Sequence, residues 1–206
     1  YLSTNLLKLK KNIETKTIFV CCSKGIEMNS LKLPSEIVTS VFPKNKIAII
    51  SGPNFAAEIA KGLPAATVVA SKSDQVANKI AQIIKSPTLR PYLSDDIIGS
   101  QIAGALKNIY AIASGIVFGK KYGENAVASI ISRSFAEIKI VAQSMNAKKS
   151  TLAGLSGMGD LFLTCSSKES RNFSLGIDLA KGKTLNQIIE KKFSVAEGVF
   201  TVRALK

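Results

Sequence analysis

The 206-residue chain predicts an α/β fold in two parts, a partial parallel sheet followed by an all-α region. Short β-branched runs alternate with helical patterns as far as about residue 93. From Ser94 onward the apolar spacing is helical almost throughout, and few strand-like runs interrupt it. A hydrophobic content of 46% is enough for one large core or two small ones. The two parts are expected to meet at a short linker near Ser94-Asp95-Asp96, giving residues 1–93 and 94–206 as the domains.

The opening YLSTNLLKLKKN reads as a helix entered midway. Thr17–Cys22 (TIFVCC) and Lys46–Ser51 (KIAIIS) read as buried parallel strands, being continuous apolar and β-branched runs. Ala66–Ala70 (ATVVA) is a third strand, and Leu89–Leu93 closes the sheet. Leu33–Val41 and Ser73–Lys85 are the intervening helices. In the second part the helices are Gly99–Phe118, Glu124–Met145, a short one near Thr151, Asn172–Lys181, Leu185–Lys191 and a last one from about Glu197. Gly157, Gly159, Gly182 and Gly198 punctuate them as caps or close-approach points. The terminal TVRALK ends within an apparent helix, so the chain is expected to be part of a longer protein.

The charge balance is strongly basic, 28 Lys and Arg against 14 Asp and Glu, or +14. The lysines are scattered, and the densest cluster, Lys8, Lys10 and Lys11, has no interleaved aromatics. A solvated surface biased toward phosphate-bearing ligands is expected, rather than a nucleic-acid partner. Cys21, Cys22 and Cys165 fit no zinc spacing and make an odd count, which points to buried thiols in a reducing cytoplasm. The sequence contains no histidine, so acid/base chemistry falls to lysine or carboxylates, and no metal site is expected. The longest apolar run, Ile102–Phe118, is interrupted by Lys107 and Asn108 and is short for a bilayer, so no membrane span is expected.

The most informative segment is GALKNIYAIASGIVFG, residues 104–119. It sets one lysine, Lys107, in an otherwise buried helical pattern. Burial disfavours an ammonium, so such a group is kept with partners or for the use of its lowered pKa as a general base. On a helix, Gly104, Lys107, Asn108, Ala111 and Gly115 share one stripe, in which small residues leave room for approach. Lys24 lies in KGIE directly after a strand, where open α/β sheets bind ligands. SGPNFA, 51–56, leaves another strand, turns at Gly52-Pro53 and starts a helix near Asn54, whose side chain reads equally well as a cap or a ligand contact. GMGDL, 157–161, offers Asp160 as the partner for Lys107. Ser170-Arg171-Asn172 puts two capping residues around an arginine at a helix start, suited to phosphate. AEG, 196–198, adds Glu197.

KGIE, SGPNFA, LKN, GMGDL, SRN and AEG, in this order and at these separations, resemble the bacterial-type NAD(P)-dependent glycerol-3-phosphate dehydrogenases. The resemblance runs from about Lys24 to Gly198. It implies a partial Rossmann-like sheet and a helical substrate domain. It further implies hydride transfer between NAD or NADP and sn-glycerol 3-phosphate or dihydroxyacetone phosphate, supplying glycerol phosphate for phospholipid synthesis in the cytoplasm. By resemblance Lys107 is catalytic, taking the hydroxyl proton, and Asp160 orients it. Lys24, Gly52, Asn54, Lys107, Asp160, Ser170, Arg171 and Asn172 contact substrate, while Lys24, Ala56, Arg171, Val195 and Glu197 contact the cofactor. Family members often carry serine or threonine where this chain has Asn54. The family's opening strand and glycine-rich GxGxxG-like turn have no match in this sequence, so the chain is expected to be an incomplete version of the enzyme, and the adenosine end that separates NAD from NADP is not legible. A β-hydroxyacid or phosphogluconate dehydrogenase of similar architecture is a second possibility, against which GMGDL and SRN argue. A truncated, non-enzymatic phosphate-binding or interaction module is a third. The long apolar helices leave room for a homodimer interface.

Overall fold

A computed structural model describes residues 2–191 and 196–205. Four strands form one sheet in the order β1 (Ile18–Cys21), β2 (Lys46–Ser51), β3 (Ala65–Ala70), β4 (Leu89–Ser94). The β1–β2 and β3–β4 pairs are parallel, as expected, but β2 and β3 run antiparallel, with Ile50 opposite Val69. The reason lies in the connections. β1 reaches β2 through α2 (Pro34–Val41), and β3 reaches β4 through α4 (Asp74–Ile84), both of which bury apolar faces on the sheet. Between β2 and β3 stands only the five-residue α3 (Ala56–Ala60), which has no buried residue and does not serve as a crossover helix. The chain therefore doubles back. β3 begins at the edge where β1 and β2 end.

Strand alternation sorts the two faces. Ala48, Ile50 and Val69 pack with Val76, Ala77, Ile80 and Ala81 of α4. On the opposite face Phe19, Cys21 and Ile47 meet Ile37, Val38 and Val41 of α2 and Leu6 of α1 (Leu2–Leu9). Ile49, Val68 and Ala70 meet Ile97 and Leu155 on that face. The N-terminus of α2 is fixed by Pro34 in its first turn and by Glu36 Oε2, which accepts Leu33 N at 2.8 Å.

The helical part is built around α5 (Ile97–Gly119). Asp96 caps it, accepting Gly99 N and Lys148 N, each at 2.8 Å. Gln101 ties it to α2 through reciprocal 2.8 Å bonds with Ser35. At 23 residues α5 is longer than the sequence reading, and by length and composition it could cross a bilayer. Here, however, its apolar surface is core, packed by α6 (Glu124–Ser144), α8 (Asp160–Ser166), α9 (Arg171–Ala180) and α11 (Glu197–Leu205). The crossing with α9 is a backbone contact. A Cβ on Gly176 would stand 2.1 Å from Ile112 O, and one on Gly115 would stand 2.1 Å from Phe173 O, so only glycine lets the two helices approach this closely. α7 (Lys149–Ala153) and α10 (Leu185–Lys191) complete the described helices. Of the thiols expected to be buried, Cys165 is, its pKa pushed up to about 12 chiefly by desolvation; Cys21 is half-buried, its pKa pushed up to about 11 chiefly by desolvation; Cys22, against expectation, is exposed.

Candidate active site

Two segments leave the sheet at the C-terminal ends of β1 and β2. After β1 the chain carries Lys24, whose methylenes lie against Gly104 of α5; a Cβ there would stand 3.3 Å from Lys24 Cδ. After β2 comes Gly52, at φ +142°, a conformation that glycine adopts freely. Asn54 does not cap a helix. Its Nδ2 donates to Ala66 O at 3.1 Å, binding the turn to the start of β3, and α3 begins two residues later behind Phe55. The antiparallel return of β3 is what puts that carbonyl within reach.

Leu155–Gly159 form a π-helical turn that runs directly into Asp160, the first residue of α8. Neither the turn nor α8 was read from the sequence. Such turns recur at functional sites, and this one delivers a carboxylate that is 1% exposed. Asp160 Oδ1 accepts Lys107 Nζ at 2.5 Å, and its Oδ2 accepts Lys24 Nζ at 2.5 Å. Lys107 also donates to Thr164 Oγ1 at 2.8 Å, and that hydroxyl donates to Asp160 O at 2.6 Å. The expected Lys107–Asp160 pair is thus present, and Lys24 and Thr164 join it. Thr164 follows Asp160 by one helical turn, the spacing that could have revealed it.

One carboxylate serves two ammonium groups, leaving the cluster net positive. Lys107 is 7% exposed. Desolvation and the Lys24 charge push its pKa down, the Asp160 charge opposes them, and the balance lowers it from 10.5 to about 8. Two of its three N–H groups are engaged, and the third remains for a ligand oxygen. The Lys24 side chain retains 21% exposure, so it faces both the carboxylate and solvent.

A second hydrogen-bonded cluster follows on α5. Asn108, 3% exposed, donates to Glu197 Oε2 at 3.0 Å and accepts Asn172 Nδ2 at 3.0 Å. Asn172 Oδ1 in turn accepts Gly198 N at 3.0 Å. The SRN and AEG motifs, 26 residues apart, are therefore locked together through Asn108, which the sequence reading placed on the site stripe without a role. Ser170 caps α9, its Oγ accepting Phe173 N at 3.3 Å. Arg171 is exposed, with Nη2 only 4.0 Å from Glu197 Oε1, so its donors are largely free. Ala56 opens α3, is exposed, and takes part in neither cluster. Val195 lies outside the described residues. Among the described residues no group of three His, Cys, Asp or Glu side chains is disposed to hold a metal.

Comparison with known proteins places the chain in a family. The family model for the NAD-dependent glycerol-3-phosphate dehydrogenase N-terminus matches residues 1–77, and that for the C-terminus matches residues 96–206. The chain is 48% identical over 187 residues to the glycerol-3-phosphate dehydrogenase (NAD(P)+) of Caulobacter vibrioides, covering 91% of this chain and 56% of that protein. It is 46% identical over 198 residues to the one of Ehrlichia chaffeensis, covering 95% and 61%. The crystal structure of the Coxiella burnetii glycerol-3-phosphate dehydrogenase superposes with a TM-score of 0.95 at 33% identity, over 99% of this chain and 62% of that one. The chain thus spans little more than half the length of such relatives. With both family models matched in order and the fold shared, the chain belongs to the NAD-dependent glycerol-3-phosphate dehydrogenase family.

Proposed function

We propose that this chain carries the substrate-binding and proton-transfer part of an NAD(P)-dependent enzyme of the cytoplasm. The reaction is interconversion of sn-glycerol 3-phosphate and dihydroxyacetone phosphate, supplying glycerol phosphate for phospholipid synthesis. The observation that carries this reading is the buried Lys107, held by Asp160 and Thr164 beside Lys24. The reaction removes a hydroxyl proton from a phosphorylated polyol. A lysine whose pKa is lowered to about 8 exchanges a proton near neutrality, and a net-positive cluster favours the anionic substrate.

Bound NAD(P) would take up or deliver the hydride. The donors present suit it: Arg171 and Glu197 are open, with side-chain exposures of 55% and 38%, offering a guanidinium for phosphate and a carboxylate for an amide. Ala56 and Val195 are assigned to the cofactor on the family resemblance. In the oxidative direction neutral Lys107 accepts the proton of the substrate hydroxyl as the carbon–hydrogen bond breaks; in the reductive direction the ammonium returns it. Asp160 fixes the orientation of Lys107 and accepts from Lys24, while Lys24, Gly52, Asn54, Ser170, Arg171 and Asn172 place the glycerol phosphate. Residues 1–93 then form the partial dinucleotide half and residues 94–206 the catalytic half, and the assembly is a homodimer.

Calorimetry with glycerol 3-phosphate, together with the loss of reduced-nicotinamide absorbance in the presence of dihydroxyacetone phosphate, tests the reading. The chain is expected to bind glycerol 3-phosphate, with binding weakened in Arg171→Ala, and any turnover should vanish in Lys107→Ala. Absence of binding would overturn the substrate assignment. Near-parental turnover in Lys107→Ala would overturn the proton-transfer role.

A further inference from the structure

A cleft of about 670 Å³ opens near the C-terminal end of α5, away from the Lys107 cluster. Phe118 of this cleft is eleven residues beyond Lys107, about 16 Å along the helix axis, so the two sites are separate. Phe118, Val127 and Ile177 supply apolar walls, and Lys121, Lys168 and Lys181 line the same space. Among the described residues none of these lysines forms an ion pair, and all three are exposed. Lys168 Nζ stands 5.4 Å from the centroid of the Phe118 ring. Two carboxylates also line the cleft, Glu124 and Asp178, and Asp178 Oδ1 is 2.8 Å from Lys183 Nζ. The wall therefore has an excess of positive charge over an apolar floor.

We propose that this cleft is a second ligand site, taking a small amphipathic anion whose hydrocarbon body covers Phe118, Val127 and Ile177 and whose carboxylate or phosphate head meets Lys121, Lys168 and Lys181. The volume falls in the range of small-molecule pockets, and the combination of apolar walls with a few convergent charges is what such pockets offer. Neutral compounds would leave the excess of ammonium charge unmatched, since Glu124 and Asp178 offset only two of the three lysines. A purely polar anion would leave the aromatic and aliphatic walls wet. Ser174 also lines the cleft, and its Oγ donates to Lys168 O at 2.6 Å. That bond closes the turn carrying Ser170, Arg171 and Asn172.

Calorimetry on the 206-residue chain with octanoate, octyl phosphate and neutral 1-octanol provides the test. Both anions are expected to bind one per chain, and octanol at least roughly tenfold more weakly, with Lys121→Gln/Lys181→Gln weakening the anions by roughly tenfold. The ratio of octanoate to octyl phosphate affinity identifies the head group. Saturating glycerol 3-phosphate should leave octanoate stoichiometry unchanged, whereas full displacement would place the anion at the Lys107 site and overturn the proposal. Equal affinity for octanol, or anion binding untouched by the lysine changes, would also overturn it. A dimer in sedimentation that the double variant dissociates would assign the cleft to a second copy of the chain, with the same consequence.

Discussion

Asp160→Asn removes the one negative charge shared by two ammonium groups while keeping the side-chain shape. Lys107 is nine-tenths buried and cannot turn to water, whereas Lys24 can. At pH 7, below the parent value of about 8 for Lys107, the variant limits its loss by releasing the Lys107 proton, at a cost on the order of 1 kcal/mol. The new amide must also direct N–H groups toward one lysine, leaving a buried hydrogen bond unmade for about 1–2 kcal/mol more. The sum, about 3 kcal/mol, lies at the lower end for breaking a buried ion pair and corresponds to a Tm lower by about 6–12 °C in a chain of this size. Its pH dependence is diagnostic. The parent Lys107 titrates below its unfolded value of 10.5, and without Asp160 it titrates lower still. Between those two native values only the parent retains the proton, so the variant's deficit grows by about 1.4 kcal/mol for each unit of pH below 8 and loses this component above it. Urea denaturation of both proteins from about pH 6 to about pH 9 measures the difference. A deficit that is flat across this range would show that Asp160 does not hold a proton on Lys107, and the account of the cluster would fail.

Two further outcomes follow from the same geometry. On the proposed reading, in which neutral Lys107 is the base for oxidation, kcat/KM for glycerol 3-phosphate should rise through about pH 8 and level off above it, while the reductive direction should decline above the same value; a flat profile would remove Lys107 from proton transfer. Gly176→Ala forces a methyl group to 2.1 Å from Ile112 O and 2.8 Å from Ile116 N, so α9 must move off α5. A loss of about 3 kcal/mol or more in urea unfolding is expected, and a variant within about 0.5 kcal/mol of the parent would contradict the backbone contact.

Local features of the sequence were enough to find most elements, because strands and helices announce themselves by period. They were also enough to single out Lys107, since a lone charge in an apolar helical run demands a partner. α8 and the π turn escaped because LSGMGDLFLTCS mixes glycine, serine and apolar residues without a clean period. Asn54 was misread as a helix start because its actual partner, Ala66 O, exists only once β3 has folded back. The antiparallel step itself depends on whether α3 packs on the sheet, and nothing in AAEIA declares that it does not.

The sequence by itself determined the order of the elements, the α/β-then-helical division of character and the family, all of which rest on residue types at short range or in fixed order. Only the tertiary structure decided how the charges are shared. Lys24 and Asp160 are 136 residues apart, as distant in sequence as they are close in space. Whether Asp160 neutralises one lysine or two depends on where the π turn sets its oxygens. The same holds for Asn108, whose amide joins SRN to AEG only because Gly198 lets its backbone lie against Asn108 O and the Asn172 side chain. Proton affinity at Lys107 is a property of that assembled surrounding, since desolvation and opposing charges exist only when the three segments bearing Lys24, Lys107 and Asp160 have met.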